Sequence, residues 1–213
     1  MAPAKKEVPT PAFDVDDETM TRQIISAAEQ CFRKYGVHRT RMEDIAQRVG
    51  LVRPNLYRYV ESKEALILRV IIEHTIRVDE ERRRRIPLRG PVGPIITKSI
   101  TLGVELASAD EFEKDMMSPQ NIDIAARFVA SNQGDDDLLP RPDYWYPIFE
   151  YGRRRGEIRD DLDDRRTLLW IGAITILLLE RRELFTDADR IMRYVDDYVT
   201  PALLAPAAKA PKR

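Results

Sequence analysis

Apolar residues recur at helical spacing along almost the whole chain, and strand-like alternation is scarce. Ile24, Ile25, Ala28, Phe32 and Tyr35 share one stripe, Met42, Ile45, Ala46 and Val49 a second, and Leu66, Val70, Ile71 and Ile76 a third. A repeat of about 3.6 residues lets a helix bury one face and solvate the other. The spacing predicts helices over 17–35, from Thr40 to Gly50, over 54–59, and from Ser62 to the arginines at 82–85. Longer patterns follow over 92–108, 111–117, 122–131, 144–155, 164–185 and 188–203, separated by breaks rich in Gly, Pro, Ser and Asp. No internal repeat is visible. The chain is expected to be all-α.

The local signals are sharpest near the front. Gly36 stops the first helix. Thr40-Arg41-Met42-Glu43 reads as a capping box, with Thr40 bonding the Glu43 backbone and Glu43 reaching back. Gly50 supplies a left-handed residue to end the next helix. Pro54 fits a first helical position, where its missing N–H costs nothing, and Arg53 before it is biased away from helical geometry. Neither Val52 nor Arg53 carries a capping oxygen, so the free N–H groups there are open to water or to DNA acceptors. Ser62 can cap the fourth helix. Two helices joined across such a turn have the spacing of a helix-turn-helix. Leu51 and Leu56 anchor it inward and Ala46 is small at the crossing. Arg53, Asn55, Arg58 and Tyr59 are left to point outward. In the major groove an Arg can fork onto guanine and an Asn can pair with adenine.

Charge separates front from rear. The formal net charge of −1 conceals nine Lys/Arg against four Asp/Glu over residues 19–63, and eight against fifteen over 107–165. A basic front fits a polyanionic partner; two ordinary solvated faces would give the same count. The start, MAPAKKEVPT, has no apolar core, so no secretory signal is expected. The apolar run Leu168 to Leu179 is shorter than the roughly 20 residues a membrane span needs. A cytoplasmic location is expected. Cys31 is the sole cysteine and reads as a small packing residue. His38 and His74 lie in unrelated elements, no Cys/His spacing suits zinc, and no Gly-rich phosphate loop occurs. Asp135 to Asp137 read as a solvated loop. No metal, no cofactor and no catalytic residues are expected.

The stretch IISAAEQCFRKYGVHRTRMEDIAQRVGLVRPNLYRYVESKEALI resembles the DNA-binding region of the TetR (tetracycline-repressor-like) family. The matching positions are Ala27, Ala28, Phe32, Gly36, Thr40, Ile45, Ala46, Gly50, Leu56, Tyr57, Tyr59, Ser62, Lys63 and Leu66. The remainder agrees only in the number and length of its helices. The resemblance implies that Thr40, Tyr57 and Lys63 bond backbone phosphates. It places Arg53, Pro54, Asn55 and Tyr59 on or near base edges, and Arg58 on either. Val52 to Asn55 depart from the family's usual Ser or Thr cap and small residues, which leaves the operator sequence open.

The resemblance divides the chain into tails at 1–16 and 205–213, expected to be disordered, a three-helix DNA-binding domain at 17–63, and a larger helical ligand-binding and dimerisation domain at 64–204. The segment IPLRGPVGP reads as a hinge. Phe112, Met116, Met117, Phe128, Trp145, Tyr146, Phe149 and Trp170 offer aromatic and thioether surface. They line an effector pocket or are simply core. Of these, Phe112, Met116, Met117, Phe128, Trp145 and Phe149 are the candidate effector-binding residues, for a small apolar or amphipathic molecule. The helix over 164–185 is apolar nearly all round. That fits packing against a second copy through Trp170, Ile174, Leu177 and Arg181 or through Leu169, Gly172, Ala173 and Ile176, or else a helix buried within one chain. The expected function is a ligand-responsive transcriptional regulator, a repressor acting as a homodimer on an inverted-repeat operator of double-stranded DNA. The alternatives are a helical interaction protein or an enzyme without DNA binding.

Overall fold

The structure is a computed structural model that describes residues 15–131, 143–181, 184–185 and 187–206, with side chains omitted at 15–16 and 128–131. The two expected tails lie largely outside the described residues, and Asp135 to Asp137 wholly so. Regular structure among the described residues is helical apart from one isolated bridge, Ile158 to Leu204. The helices are α1 (Val15–Tyr35), α2 (Met42–Arg48), α3 (Arg53–Leu56), α4 (Lys63–Arg85), α5 (Val92–Leu106), α6 (Glu111–Met116), α7 (Pro119–Ser131), α8 (Trp145–Arg154), α9 (Asp164–Glu180), α10 (Ala188–Tyr194) and α11 (Thr200–Leu203), with a π-helical turn Val195–Val199 between the last two. The chain forms two compact units, one up to Leu66 and one from Ile67. α4 is continuous through that boundary.

In the first unit Ile24, Ala28, Cys31 and Phe32 from α1 are buried with Met42, Ile45 and Ala46 from α2 and Leu56 from α3. Tyr35, expected on the same stripe, is exposed. Gly50 has φ +73°, the left-handed geometry that costs glycine least. Around it the Leu51 N–H donates to the Ala46 carbonyl at 2.9 Å and the Gly50 N–H to the Gln47 carbonyl at 3.2 Å, a Schellman closure of α2. Ser62 caps α4: its Oγ accepts from the Ala65 N–H at 3.1 Å.

Two local expectations need correction. The capping box sits one residue later than Thr40 and Glu43. Arg41 is the N-cap residue of α2, and its N–H donates to Asp44 Oδ2 at 2.8 Å. The reason is that the Thr40 hydroxyl is taken by the end of α1, donating toward the carbonyls of Cys31 (3.1 Å) and Gly36 (2.9 Å). The short helix is also shorter than 54–59. It begins at Arg53, with Pro54 second, after an extended Val52. Past Leu56 the bonds tighten: Arg58 N–H to Asn55 at 3.2 Å and Tyr59 N–H to Leu56 at 3.0 Å, both three residues back.

The second unit is organised around α5, buried over most of its length from Val92 to Val104. α8, α9, α10, the π-helical turn and α11 pack against it. Asp110, Asp163 and Asp187 cap α6, α9 and α10, each accepting a backbone N–H at 2.8 Å. The proline segment 86–94 lies within this unit and is fastened there. Tyr151 donates to the Gly90 carbonyl at 2.7 Å, and Glu157 Oε2 accepts the Val92 N–H at 2.6 Å. Beneath α5 is a buried charge. Arg82 donates through Nη1 to Asp79 Oδ1 (2.7 Å) and through Nε to the Ser99 carbonyl (2.9 Å), and it lies 5.5 Å from the ring centres of both Tyr144 and Trp145. Gly103 permits this: a Cβ there would fall 2.1 Å from Arg82 Nη2.

Candidate nucleic-acid interface

The candidate reading surface follows from where Leu56 goes. α3 is a single turn, and Leu56 is its fully buried anchor. With that side fixed inward, Arg53, Pro54, Asn55, Tyr57 and Arg58 are exposed and Tyr59 is half-buried. The sequence therefore brings five of its eight candidate residues to one exposed turn. Val52 joins them, 63% exposed, an apolar residue that sequence reasoning treated only as a missing cap.

Arg53 is not a loose side chain. Its Nη1 donates to Glu43 Oε1 at 2.6 Å and its Nη2 to the Tyr57 hydroxyl at 3.3 Å, with the guanidinium 5.6 Å from the Tyr57 ring centre. The hydrogen bond to Tyr57, and then the Glu43 charge, push the Arg53 pKa up, so its cation is secure. Glu43 was absent from the candidate residues because it was assigned to a cap.

The two phosphate candidates outside α3 are placed differently. Thr40 is only 2% exposed, and its hydroxyl is turned to α1 rather than to solvent. Its expected phosphate contact is not available in this arrangement. Lys63 is half-buried, and its Nζ donates to the His38 carbonyl at 3.1 Å. Burial pulls its pKa down, partly countered by Glu64. An ammonium has three N–H groups, so one such bond leaves capacity for a phosphate.

Cys31 is buried, and desolvation pushes its thiol pKa up, away from the thiolate a nucleophile needs. Among the described residues no cluster of His, Cys, Asp and Glu could hold a metal ion. No helix among them is long and apolar enough to cross a membrane. In the second unit Phe112, Met116, Trp145 and Phe149 are buried and Met117 is half-buried. The Phe128 side chain lies outside the described residues. Tyr146 is exposed. An open groove of about 350 Å³ lies elsewhere, against Leu162, Thr167, Trp170 and Leu203.

Residues 24–70 match the family described as bacterial regulatory proteins, tetR family. That segment holds α2 and α3 and is similar to the amino-terminal DNA-binding region of tetR-family regulators. Over 50 residues the chain is 44% identical to the helix-turn-helix-type transcriptional regulator RutR of Escherichia coli, covering 24% of each chain. Over 112 residues it is 26% identical to an uncharacterised helix-turn-helix regulator of Mycobacterium bovis, covering 53% of this chain and 56% of that one. The matches thus span a quarter to just over half the length of these curated relatives. The fold extends further. The structure of RolR in complex with resorcinol superposes with a TM-score of 0.65 over 88% of this chain and 89% of that one, at 14% identity. The chain thus has an amino-terminal helix-turn-helix followed by a helical carboxy-terminal domain.

Proposed function

We propose that this chain is a TetR-family transcriptional regulator, a homodimeric repressor that binds an inverted-repeat operator and is released by a small apolar or amphipathic molecule. The observation that carries it is the exposed turn Arg53 to Arg58 over a buried Leu56. Arg53 and Asn55 would read bases, with Pro54, Tyr59 and the Val52 methyl groups beside them. Tyr57 and Lys63 would hold phosphates and Arg58 would serve either role. Thr40 would contribute through the loop it pins.

The face of α9 supports a dimer. Thr167, Ile171 and Leu178 point into the unit and Ile174 is half-buried, while Leu169 (68% exposed), Trp170, Gly172, Ala173, Leu177 and Arg181 remain exposed. A second copy would cover this apolar stripe. A closed two-fold pair presents two identical heads, hence the inverted repeat.

The effector reading draws on the RolR complex, which holds a small aromatic molecule. In this chain Phe112, Met116, Met117, Trp145 and Phe149 are packed, so an effector entering among α5, α7 and α8 must part them. It shifts the equilibrium only if it prefers the non-binding state. α4 is one helix from the DNA-binding unit into the second unit, so it is the route by which that displacement would be felt. Selection of bound sequences from random duplexes by the purified protein tests the central claim. An enriched inverted repeat is expected; recovery of no enriched sequence would overturn it.

A further inference from the structure

We propose that Glu43 is the positioning residue for base reading by Arg53: it holds the guanidinium in place at the reading surface and so sets specificity at the base pair Arg53 meets. The inference rests on the assignment of the α2–α3 surface to DNA.

Glu43 and Arg53 lie ten residues apart on different helices, and their side chains are about half exposed. An exposed ion pair adds little to stability, so the fold does not depend on this contact. Nor does the helix backbone. The cap that Glu43 was expected to supply comes from Asp44, which leaves the Glu43 carboxylate for Arg53. A carboxylate on a face that meets phosphates is repelled by them, so it weakens binding unless it gains something there. What it gains is order in Arg53. The guanidinium has five N–H groups. Glu43 takes one on Nη1 and the Tyr57 hydroxyl one on Nη2, with the guanidinium 5.6 Å from the Tyr57 ring centre. Three N–H groups remain, enough for the forked contact to guanine O6 and N7. An unsupported arginine would have to be immobilised on binding, and it could reach several bases. One held at both ends is already placed, and it meets one base pair in one orientation.

The test compares affinity for the selected duplex with affinity for a random duplex, in the unaltered protein, Glu43→Ala, Glu43→Asp, Arg53→Ala and the double variant. Glu43→Ala is expected to lower that ratio roughly five- to tenfold, and to relax selection at the same base pair as Arg53→Ala. Glu43→Asp should restore part of it. The salt slope should hold, because no phosphate contact is lost. Melting should be unchanged. In the Arg53→Ala background, Glu43→Ala should have no further effect on the ratio. Equal gains in affinity for both duplexes would show that Glu43 merely repels phosphate, and would overturn the proposal. So would an unchanged selection by Glu43→Ala where Arg53→Ala relaxes it. If Arg53→Ala also leaves the selection unchanged, Arg53 reads no base and the inference falls while DNA binding stands. No enriched sequence for the unaltered protein would instead overturn the DNA reading itself.

Discussion

Asn55 and Lys63 sit eight residues apart, yet truncating them should do different damage. Asn55 is exposed on the proposed reading turn, where its amide would pair with one base. Asn55→Ala should cost about 1–3 kcal/mol on the selected site and little on random DNA. Lys63→Ala should weaken both alike and reduce the salt slope by about 0.9. Titrations at several salt concentrations separate the two; matching losses on both duplexes would place Asn55 on phosphate. Glu113 offers a residue-level test in the second unit. It bonds buried His74 and lies 3.9 Å from Arg77, and the His74 bond is the main reason its carboxyl pKa is lowered. A carboxyl with a depressed folded pKa stabilises above its unfolded value of about 4.3, and that contribution is lost as pH falls through the folded value. Glu113→Gln should therefore narrow the stability difference between pH 6 and pH 3, read by urea unfolding; an unchanged difference would refute the assignment. Residues whose role is set by near neighbours were legible in the sequence. Gly50 needs only its own φ, and Ser62 only the N–H three residues on. Thr40 was misread because its partner is a carbonyl nine residues back. Glu43 was missed because a partner ten residues away on another helix leaves no periodic trace.

Helices were legible as elements because α1, α4 and α5 repeat their apolar positions over several turns. α3 was overextended, since one turn is too short for a period to speak against 3₁₀ geometry. The arginine run at the end of α4 carries no local sign of which cation is buried. Arg82 is the one, among Asp79, Ser99, Tyr144 and Trp145. Breaking such a pair leaves an uncompensated buried charge. Asp79→Ala should cost about 3–5 kcal/mol in urea unfolding, whereas Asp79→Leu with Arg82→Met should cost far less. Gly103→Ala should be comparably harmful, because its Cβ displaces the guanidinium, and its effect should shrink in the Arg82→Met background. Additive losses would mean that Gly103 and Arg82 act independently.

For the whole molecule, the exposed stripe on α9 is the ground for the proposed dimer. Specific interfaces bury upwards of about 1,000 Å² in total, and burial is worth roughly 25 cal/mol per Å². Sedimentation at micromolar concentration should give a dimer. Leu169→Arg and Ala173→Arg, both on exposed positions, should give folded monomers that lose the selected duplex; a monomer before substitution would defeat the dimer. The sequence showed this helix to be apolar on both sides but not which side the chain keeps, because that depends on where α5 lies against it. The π-helical turn Val195–Val199 has a consequence for how this chain tolerates change in length. It holds one residue more than an α turn, so a chain one residue shorter here can close the same turn as α-helix. Deleting Asp197 would leave Thr200 and Leu203 close to their present places, with Thr200 still at Thr97 and the Leu203 carbonyl still at the Arg159 N–H. An alanine inserted after Asp197 has no such slack to use, and shifts Thr200 and Leu203 by about 100° and 1.5 Å. The insertion should lower the melting temperature by several degrees where the deletion does not, making the angular register of the carboxy-terminal turn, rather than its length, the quantity under constraint.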